Sequence, residues 1–337
     1  MIQEIELELK NTSYSWLVTG AAGFIGSNLV EYLLNLNQKV IGLDNFSTGF
    51  RENLTSVLSS INNPKFIFIE GDITSFDTCV EASEGVNFIL HQAALGSIPR
   101  SINDPINTNQ SNINGFLNML IAAKNANVKR FVYAGSSSTY GDFPGLPKKE
   151  DTIGKPLSPY AITKYVNELY AETFSRHYDF QSIGLRYFNV FGRRQRQEGA
   201  YAAVIPKWII SILNQEEVQI FGDGKTSRDF CYIDNVIQAN ILAALTTEER
   251  SLNQVYNIAL NDQTSLIDLY KMISKEIQKN DSSITIPTPV YKEFREGDIM
   301  HSRADITKAK KLLKYNPTHK INSGIKKTVS WYMRTKK

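Results

Sequence analysis

An apolar strand, Ser15-Trp-Leu-Val-Thr19, runs directly into Gly20-x-x-Gly23-x-x-Gly26 and then into a helical pattern. A chain that opens this way must place a tight turn at a strand end with a helix N-terminus beside it. The glycines let the backbone turn sharply and approach a bound group, while free N–H groups and the positive end of the helix dipole favour an anion. The segment is a place for a pyrophosphate. Alone, such a glycine pattern is weak evidence, but its setting strengthens it. A second strand, Lys39-Val-Ile-Gly-Leu-Asp44, ends on a carboxylate at the distance expected for gripping an adenosine ribose. Asp44 would also repel a 2′-phosphate, and no arginine follows it directly, so NAD is favoured over NADP.

Strand and helix signals alternate after residue 14. Strands are predicted to Thr19 and over Lys39 to Asp44, Lys65 to Glu70, Asn87 to His91, Arg130 to Gly135 and Gln181 to Arg186. Helices are predicted from Phe24 to Leu36, from Asp104 to Ala126, and from Ser158-Pro159 to Tyr178, where serine caps and proline enters the first turn. Alternation of this kind predicts an α/β chain with a Rossmann-type, doubly wound parallel sheet. Beyond Asn189 the elements shorten, punctuated by Gly192, Gly199, Gly222-Asp-Gly224 and Pro287-Thr-Pro289. The expected division is a cofactor domain over 1–188 and a smaller C-terminal α/β substrate lobe over 189–337, with a segment near 230–260 returning to the first. A chain of 337 residues, 42% hydrophobic, is long enough for two such cores.

With 37 basic against 34 acidic residues, the chain has no electrostatic footprint for nucleic acid or a membrane surface. Its two cysteines, Cys79 and Cys231, make no disulfide framework and have no metal-ligand spacing to the four histidines. Neither a metal site nor a secretory signal is expected, and no stretch is long and apolar enough to span a membrane. A cytoplasmic location follows as an expectation.

Tyr160-Ala-Ile-Thr-Lys164 places a phenol and an ammonium on one face of a helix. A free phenol titrates near pH 10, so it becomes a useful base only if a nearby positive charge favours phenolate. Ser136-Ser137-Ser138-Thr139-Tyr140-Gly141 lies at the carboxyl end of a predicted strand, where an open parallel sheet binds its ligands. Joined in this order to the glycine fingerprint, these residues resemble the extended short-chain dehydrogenase/reductases. Within them the chain is similar to UDP-N-acetylglucosamine (UDP-hexose) 4-epimerases from Trp16 to Tyr332.

The resemblance implies roles. Tyr160 would take the proton from the sugar 4-hydroxyl, Lys164 would tune it and hold the nicotinamide ribose, and Ser136 would hydrogen-bond the reacting oxygen, with Ser137 and Ser138 as further partners. Gly20, Gly23, Phe24, Ile25, Gly26, Asp44, Asn45, Ser47, Asp72, Ile73, Ala93, Ala94 and Asn112 fall at family NAD positions. Asn189, in Tyr187-Phe-Asn-Val-Phe-Gly192, would meet the substrate, as would Ala203, Val204 and Lys207. Arg228 and Arg295 match arginines that clamp the diphosphate of a UDP-sugar, with Asp298 on the uridine ribose. A guanidinium holds phosphate oxygens bidentately without a basic protein.

Related 4,6-dehydratases carry Asp-Glu where this chain has Ser137-Ser138, so dehydration is disfavoured. Some epimerases limited to glucose and galactose carry tyrosine at the Ser302 position, and serine leaves room for a 2-acetamido group. Gly96, Ser97, Ser138, Asn189, Ala203 and Ser302 match a subgroup preferring N-acetylated sugars. The expected reaction interconverts UDP-N-acetylglucosamine and UDP-N-acetylgalactosamine through a transient 4-keto sugar. The alternatives are the uronic acid forms of this pair, UDP-glucose with UDP-galactose, and a non-catalytic NAD-binding sensor. For a 6-carboxylate, Arg100, Lys207 or the serine-rich site is a candidate, Arg100 and Lys207 each with the plainer reading of a solvated surface charge. A homodimer is expected by resemblance, through helices starting near Asp104 and Pro159. Phe116, Leu117, Leu120 and Ile121 would either form that surface or face their own sheet. His91 reads as a packed histidine beside the cofactor loop, because nothing is spaced to partner it in catalysis.

Overall fold

A computed structural model describes residues 2–62, 64–196, 203–294 and 299–335. The chain begins with α1 (Ile2–Asn11), β1 (Ser15–Thr19), α2 (Phe24–Asn35), β2 (Lys39–Asp44), α3 (Arg51–Ser59), β3 (Phe66–Glu70), α4 (Phe76–Ser83) and β4 (Phe88–His91). Two short helices follow, α5 (Ile98–Asn103) and α6 (Pro105–Asn109), then a π-helical turn (Gln110–Asn114), α7 (Gly115–Asn125), β5 (Arg130–Ser136), α8 (Pro159–Tyr178) and β6 (Ser182–Tyr187). Beyond these come β7 (Val190–Phe191), α9 (Val204–Leu213), β8 (Gln219–Phe221), β9 (Ser227–Arg228), β10 (Cys231–Tyr232), α10 (Ile233–Leu245) and β11 (Gln254–Ile258). The chain closes with β12 (Thr264–Ser265), α11 (Leu266–Asn280), β13 (Val290–Lys292), α12 (Thr307–Leu312) and α13 (Ile321–Thr335).

Seven strands form one sheet in the order β3-β2-β1-β4-β5-β6-β11. Every neighbouring pair in it is parallel. Parallel strands need crossovers, and these put helices on both faces. Side chains alternate accordingly. Trp16 and Val18 enter one core with α2 and α10, whereas Leu17 between them enters the other with Phe116, Leu120 and Phe174. Thus Phe116 and Leu120 of α7 face their own sheet, and both are fully buried.

The helix expected from Asp104 to Ala126 is not one uniform rod. Asp104 accepts from Asn107 N at 3.2 Å as the cap of α6, and the π turn interposes an extra residue before α7. Asn112 is the buried residue of this turn, and π-helical turns of this kind are frequent at functional sites. The N-terminal residues form α1, whose Leu9 is buried against the first core. Smaller sheets, β10 with β7, β12 with β9 and β13 with β8, organise the C-terminal region.

Candidate active site

The sheet order reverses between β1 and β4, and a cleft of about 450 Å³ opens where their carboxyl ends diverge. Gly20, Gly23, Phe24, Ile25, Gly26, Asp44, Asn45, Ser47, Asp72, Ile73, Ala93, Ala94 and Gly96 line it, together with Ser136, Tyr160 and Lys164. Gly20 has φ +66°, and a Cβ on Gly26 would lie 1.9 Å from the Gly20 carbonyl oxygen, so α2 starts hard against the turn. Gly23 caps α2 without any side-chain acceptor, which leaves first-turn N–H groups for an anion. Asp44 is fixed at the end of β2: Oδ2 accepts from Ala22 N at 2.9 Å and Oδ1 from Phe46 N at 2.7 Å. Burial pushes its pKa up against these backbone donors. Asn45 donates to Asp72 Oδ2 at 2.6 Å, and Thr74 bonds the other oxygen. A glycine turn, an uncapped helix start and a fixed carboxylate fit a dinucleotide.

Helix α8 brings the chemistry to this cleft. Ser158 Oγ accepts from Ala161 N at 3.1 Å and starts the helix. Tyr160, Lys164 and Glu168 then follow at four-residue spacing on its inner face. Glu168 anchors that face to β6 through a buried bidentate pair, with Oε1 2.8 Å from Arg186 Nε and Oε2 2.7 Å from Arg186 Nη2. Lys164 Nζ donates to the Ala134 carbonyl at 3.0 Å, and burial pushes its pKa down to about 8. Burial raises the Tyr160 pKa, while a hydrogen bond with Ser136 opposes the rise. Ser136 Oγ also accepts from Ser138 Oγ at 2.8 Å. The arrangement can hold a phenol beside a hydroxyl and an ammonium in a partly dry site, which is equipment for moving one proton.

Not every expected residue touches the cleft. Asn112 lies behind it, 1% exposed, with Oδ1 accepting from Leu95 N at 2.7 Å and Nδ2 donating to Leu95 O and Thr163 Oγ1. Its place is a brace between the Ala93–Leu95 loop and α8, because the π turn directs its amide there. Ser97 caps α5 by accepting from Arg100 N, and Ser137 opens the short turn after β5. Asn189 is exposed with φ +26°, and its carbonyl accepts from Cys231 N at 3.2 Å. Ala203 and Val204 begin α9, and Lys207 is exposed on it. Strand β9 brings Arg228 alongside the Ser302 segment: Ser302 N donates to Ser227 O at 3.1 Å, and Arg228 Nη1 to Met300 O at 3.2 Å. Arg295 and Asp298 lie outside the described residues. His91 is buried between Phe131 and Phe116, with Nδ1 2.9 Å from Thr19 Oγ1.

Gln92, Tyr187, Val190 and Gln195 also line the cleft, and sequence reasoning assigned them no contact there. Tyr187 stood in the Tyr187-Phe-Asn-Val-Phe-Gly192 motif without a role of its own, but its bonds to Gln92 and Asn240 reach across three elements. Gln195 carried no sequence signal. Its Nε2 donates to Val190 O, and its buried Oε1 meets no hydrogen-bond partner among the described residues.

The model of the NAD dependent epimerase/dehydratase family matches residues 16–259, the whole span that builds this cleft. The chain belongs to that family. NAD is its cofactor. A putative UDP-glucose 4-epimerase of Methanocaldococcus jannaschii is 35% identical over 321 residues, covering 94% of this chain and 97% of the relative. Among solved family structures, a UDP-N-acetylglucosamine 4-epimerase from Methanobrevibacter ruminantium in complex with UDP-N-acetylmuramic acid is 38% identical. Its TM-score is 0.87, with 96% of this chain and 99% of that one covered. A variant UDP-glucuronic acid 4-epimerase from Bacillus cereus, in complex with UDP-4-deoxy-4-fluoro-glucuronic acid and NAD, is 30% identical with a TM-score of 0.85. Coverage there is 95% and 99%.

Proposed function

We propose that this chain is a UDP-sugar 4-epimerase that interconverts UDP-N-acetylglucosamine and UDP-N-acetylgalactosamine. The observation that carries the reaction type is the meeting of Ser136, Tyr160 and Lys164 in one cleft, with hydroxyls and no carboxylate pair at 137 and 138. Bound NAD would supply a reversible hydride acceptor at the sugar C4. Tyr160 takes the 4-hydroxyl proton and returns it. The Lys164 ammonium lowers the cost of phenolate, and Ser136 orients the reacting oxygen. Arg228 holds the diphosphate, with Arg295 and Asp298 as further contacts of the nucleotide. Asn112 serves this site from behind, by fixing the loop beneath the cofactor.

For the sugar, the supporting feature is Ser302, a small side chain held by the β9 ladder next to Arg228. The Methanobrevibacter relative named for UDP-N-acetylglucosamine adds to it. Other relatives are named for glucose or glucuronate, so the deciding experiment is turnover on UDP-glucose, UDP-galactose, UDP-N-acetylglucosamine and UDP-N-acetylglucosaminuronate, with the epimers separated. Preference for the neutral acetylated sugar is expected. Preference for the glucose pair overturns the pocket argument, and preference for the acid transfers the function to the uronate pair. Ser302→Tyr should cut turnover of the acetylated pair at least about tenfold by filling the acetamido space, and unchanged turnover removes Ser302 from the account.

The proposal includes a cytoplasmic homodimer. Free, buried Cys79 and Cys231 suit a reducing compartment. Exposed Ile102, Ile106, Ile162 and Leu169 on α5, α6 and α8 offer the apolar surface for a second copy.

A further inference from the structure

Arg193, Arg194 and Arg196 surround Gln195 just after β7, and the reaction described above gives these three cations no task. We propose that Arg194 is a positioning residue that latches this segment across the first turns of α2 and so retains the dinucleotide. The proposal rests on the reading of the cleft as the NAD site. Arg194 has φ +63°, a left-handed conformation that a side chain of this kind keeps only where its surroundings over-determine it. Its own guanidinium does so. Nη2 donates to Asn28 Oδ1 at 2.9 Å and to Glu31 Oε2 at 2.6 Å, Nη1 donates to Glu31 Oε1 at 3.3 Å, and Nε donates to Ser27 Oγ at 3.2 Å. Its side chain is 4% exposed. Ser27, Asn28 and Glu31 lie within five residues after Gly26, on the helix whose N-terminus faces the cleft.

The neighbouring residues extend the latch in both directions. Arg193 shares Glu31, with Nη2 at 3.0 Å from Oε2, and reaches Asp234 Oδ1 on α10 at 2.7 Å through Nη1. Asn28 Nδ2 donates to the Arg193 carbonyl at 3.2 Å. Arg196 lies over the Phe50 ring, 5.5 Å from its centre, at the start of α3. Tyr332 of α13 donates to the Gln195 carbonyl at 2.5 Å. Gln195, fixed between these anchors, lines the cleft.

A redox-neutral reaction restores its cofactor in every cycle, so slow release causes no loss of turnover. The latch meets that condition, since the segment cannot lift from α2 without breaking a forked ion pair whose arginine is buried and whose Glu31 is partly exposed. A lysine at 194 would carry the charge but not the fork, and one point contact cannot span Ser27, Asn28 and Glu31 together.

The test compares the unaltered protein with Arg194→Lys and with the double variant Arg194→Met/Glu31→Gln, which removes both charges so that neither is buried alone. Proteins loaded with NAD are diluted into an NAD-hydrolysing enzyme, and loss of bound NAD is timed. Melting of the NAD-free proteins and UDP affinity at saturating NAD are measured in parallel. The latch predicts NAD release at least about tenfold faster in both variants, with UDP affinity within about twofold. Release within about twofold of the unaltered protein, in a variant that still melts cooperatively, overturns the latch alone. So does a matching loss of UDP affinity and melting temperature, or failure of both variants to fold, since each assigns Arg194 to general stability. An unaltered protein that holds no NAD overturns the reading of the cleft as well.

Discussion

Tyr160 and Lys164 illustrate how much chemistry depends on where a side chain ends up. Burial raises the Tyr160 pKa and pushes Lys164 down to about 8, so neither suits proton transfer at neutral pH through burial alone. The Ser136 hydrogen bond opposes the rise on the phenol, and in the proposed mechanism the Lys164 ammonium supplies the remaining bias. Tyr160→Phe is therefore expected to lower turnover about 10²- to 10⁴-fold, the range for removing a positioned general base, with NAD content and melting temperature unchanged. Loss of bound NAD in that variant would assign the phenol to binding instead. His91 makes a different prediction. Burial, reinforced by the Lys164 charge, pushes its pKa down to about 3, while an unfolded chain protonates it near 6.5. The unfolded state binds the extra proton between those values, so this stability is fully present above about pH 6.5 and declines towards pH 3 by up to about 1.4 kcal/mol per unit. Urea unfolding from pH 4 to 7 should show a shallower acid slope for His91→Phe than for the unaltered protein.

Helices and strands differ in how plainly they announce themselves. The strand–glycine–helix unit around Gly20 to Gly26 and the Ser158-Pro159 helix start are readable because their determinants lie within a few residues. The π turn at Gln110–Asn114 is not, since its reason is the bond from Asn112 to a loop seventeen residues earlier. Helix α1 is similar. Gln38, 1% exposed, donates through Nε2 to the carbonyls of Leu9, Thr12 and Leu36 and accepts through Oε1 from Tyr14 N and Trp16 Nε1. One amide thus ties α1 to the entry of β1 and the end of α2. Gln38→Leu should cost about 2–4 kcal/mol, because it strands several buried polar groups. Proteolysis should then cut first before Ser15, and an unchanged cleavage pattern would mean α1 is held by its apolar face alone.

The whole molecule is organised around a reversal of strand order, and the cleft follows from it. The same assembly leaves Ile102 and Ile106 60% and 70% exposed and Leu169 44% exposed. If these bury against a second copy, Ile106→Lys with Leu169→Lys should shift the protein from dimer to monomer in sedimentation. A monomeric unaltered protein would remove the dimer from the proposal. The apolar run of β1, the four-residue spacing of Tyr160 and Lys164, and the glycine turn with its distant carboxylate were all legible along the chain. Backbone geometry dictates such short-range patterns, whatever the rest of the fold does. The bracing role of Asn112, the inward face of Phe116 and Leu120, and the contacts of Gln195 with the cleft were not. Neither were the partners of Arg194 on α2, more than 160 positions away. Crossover order and burial choose those neighbours, and a buried polar group takes whichever partner packing brings within reach.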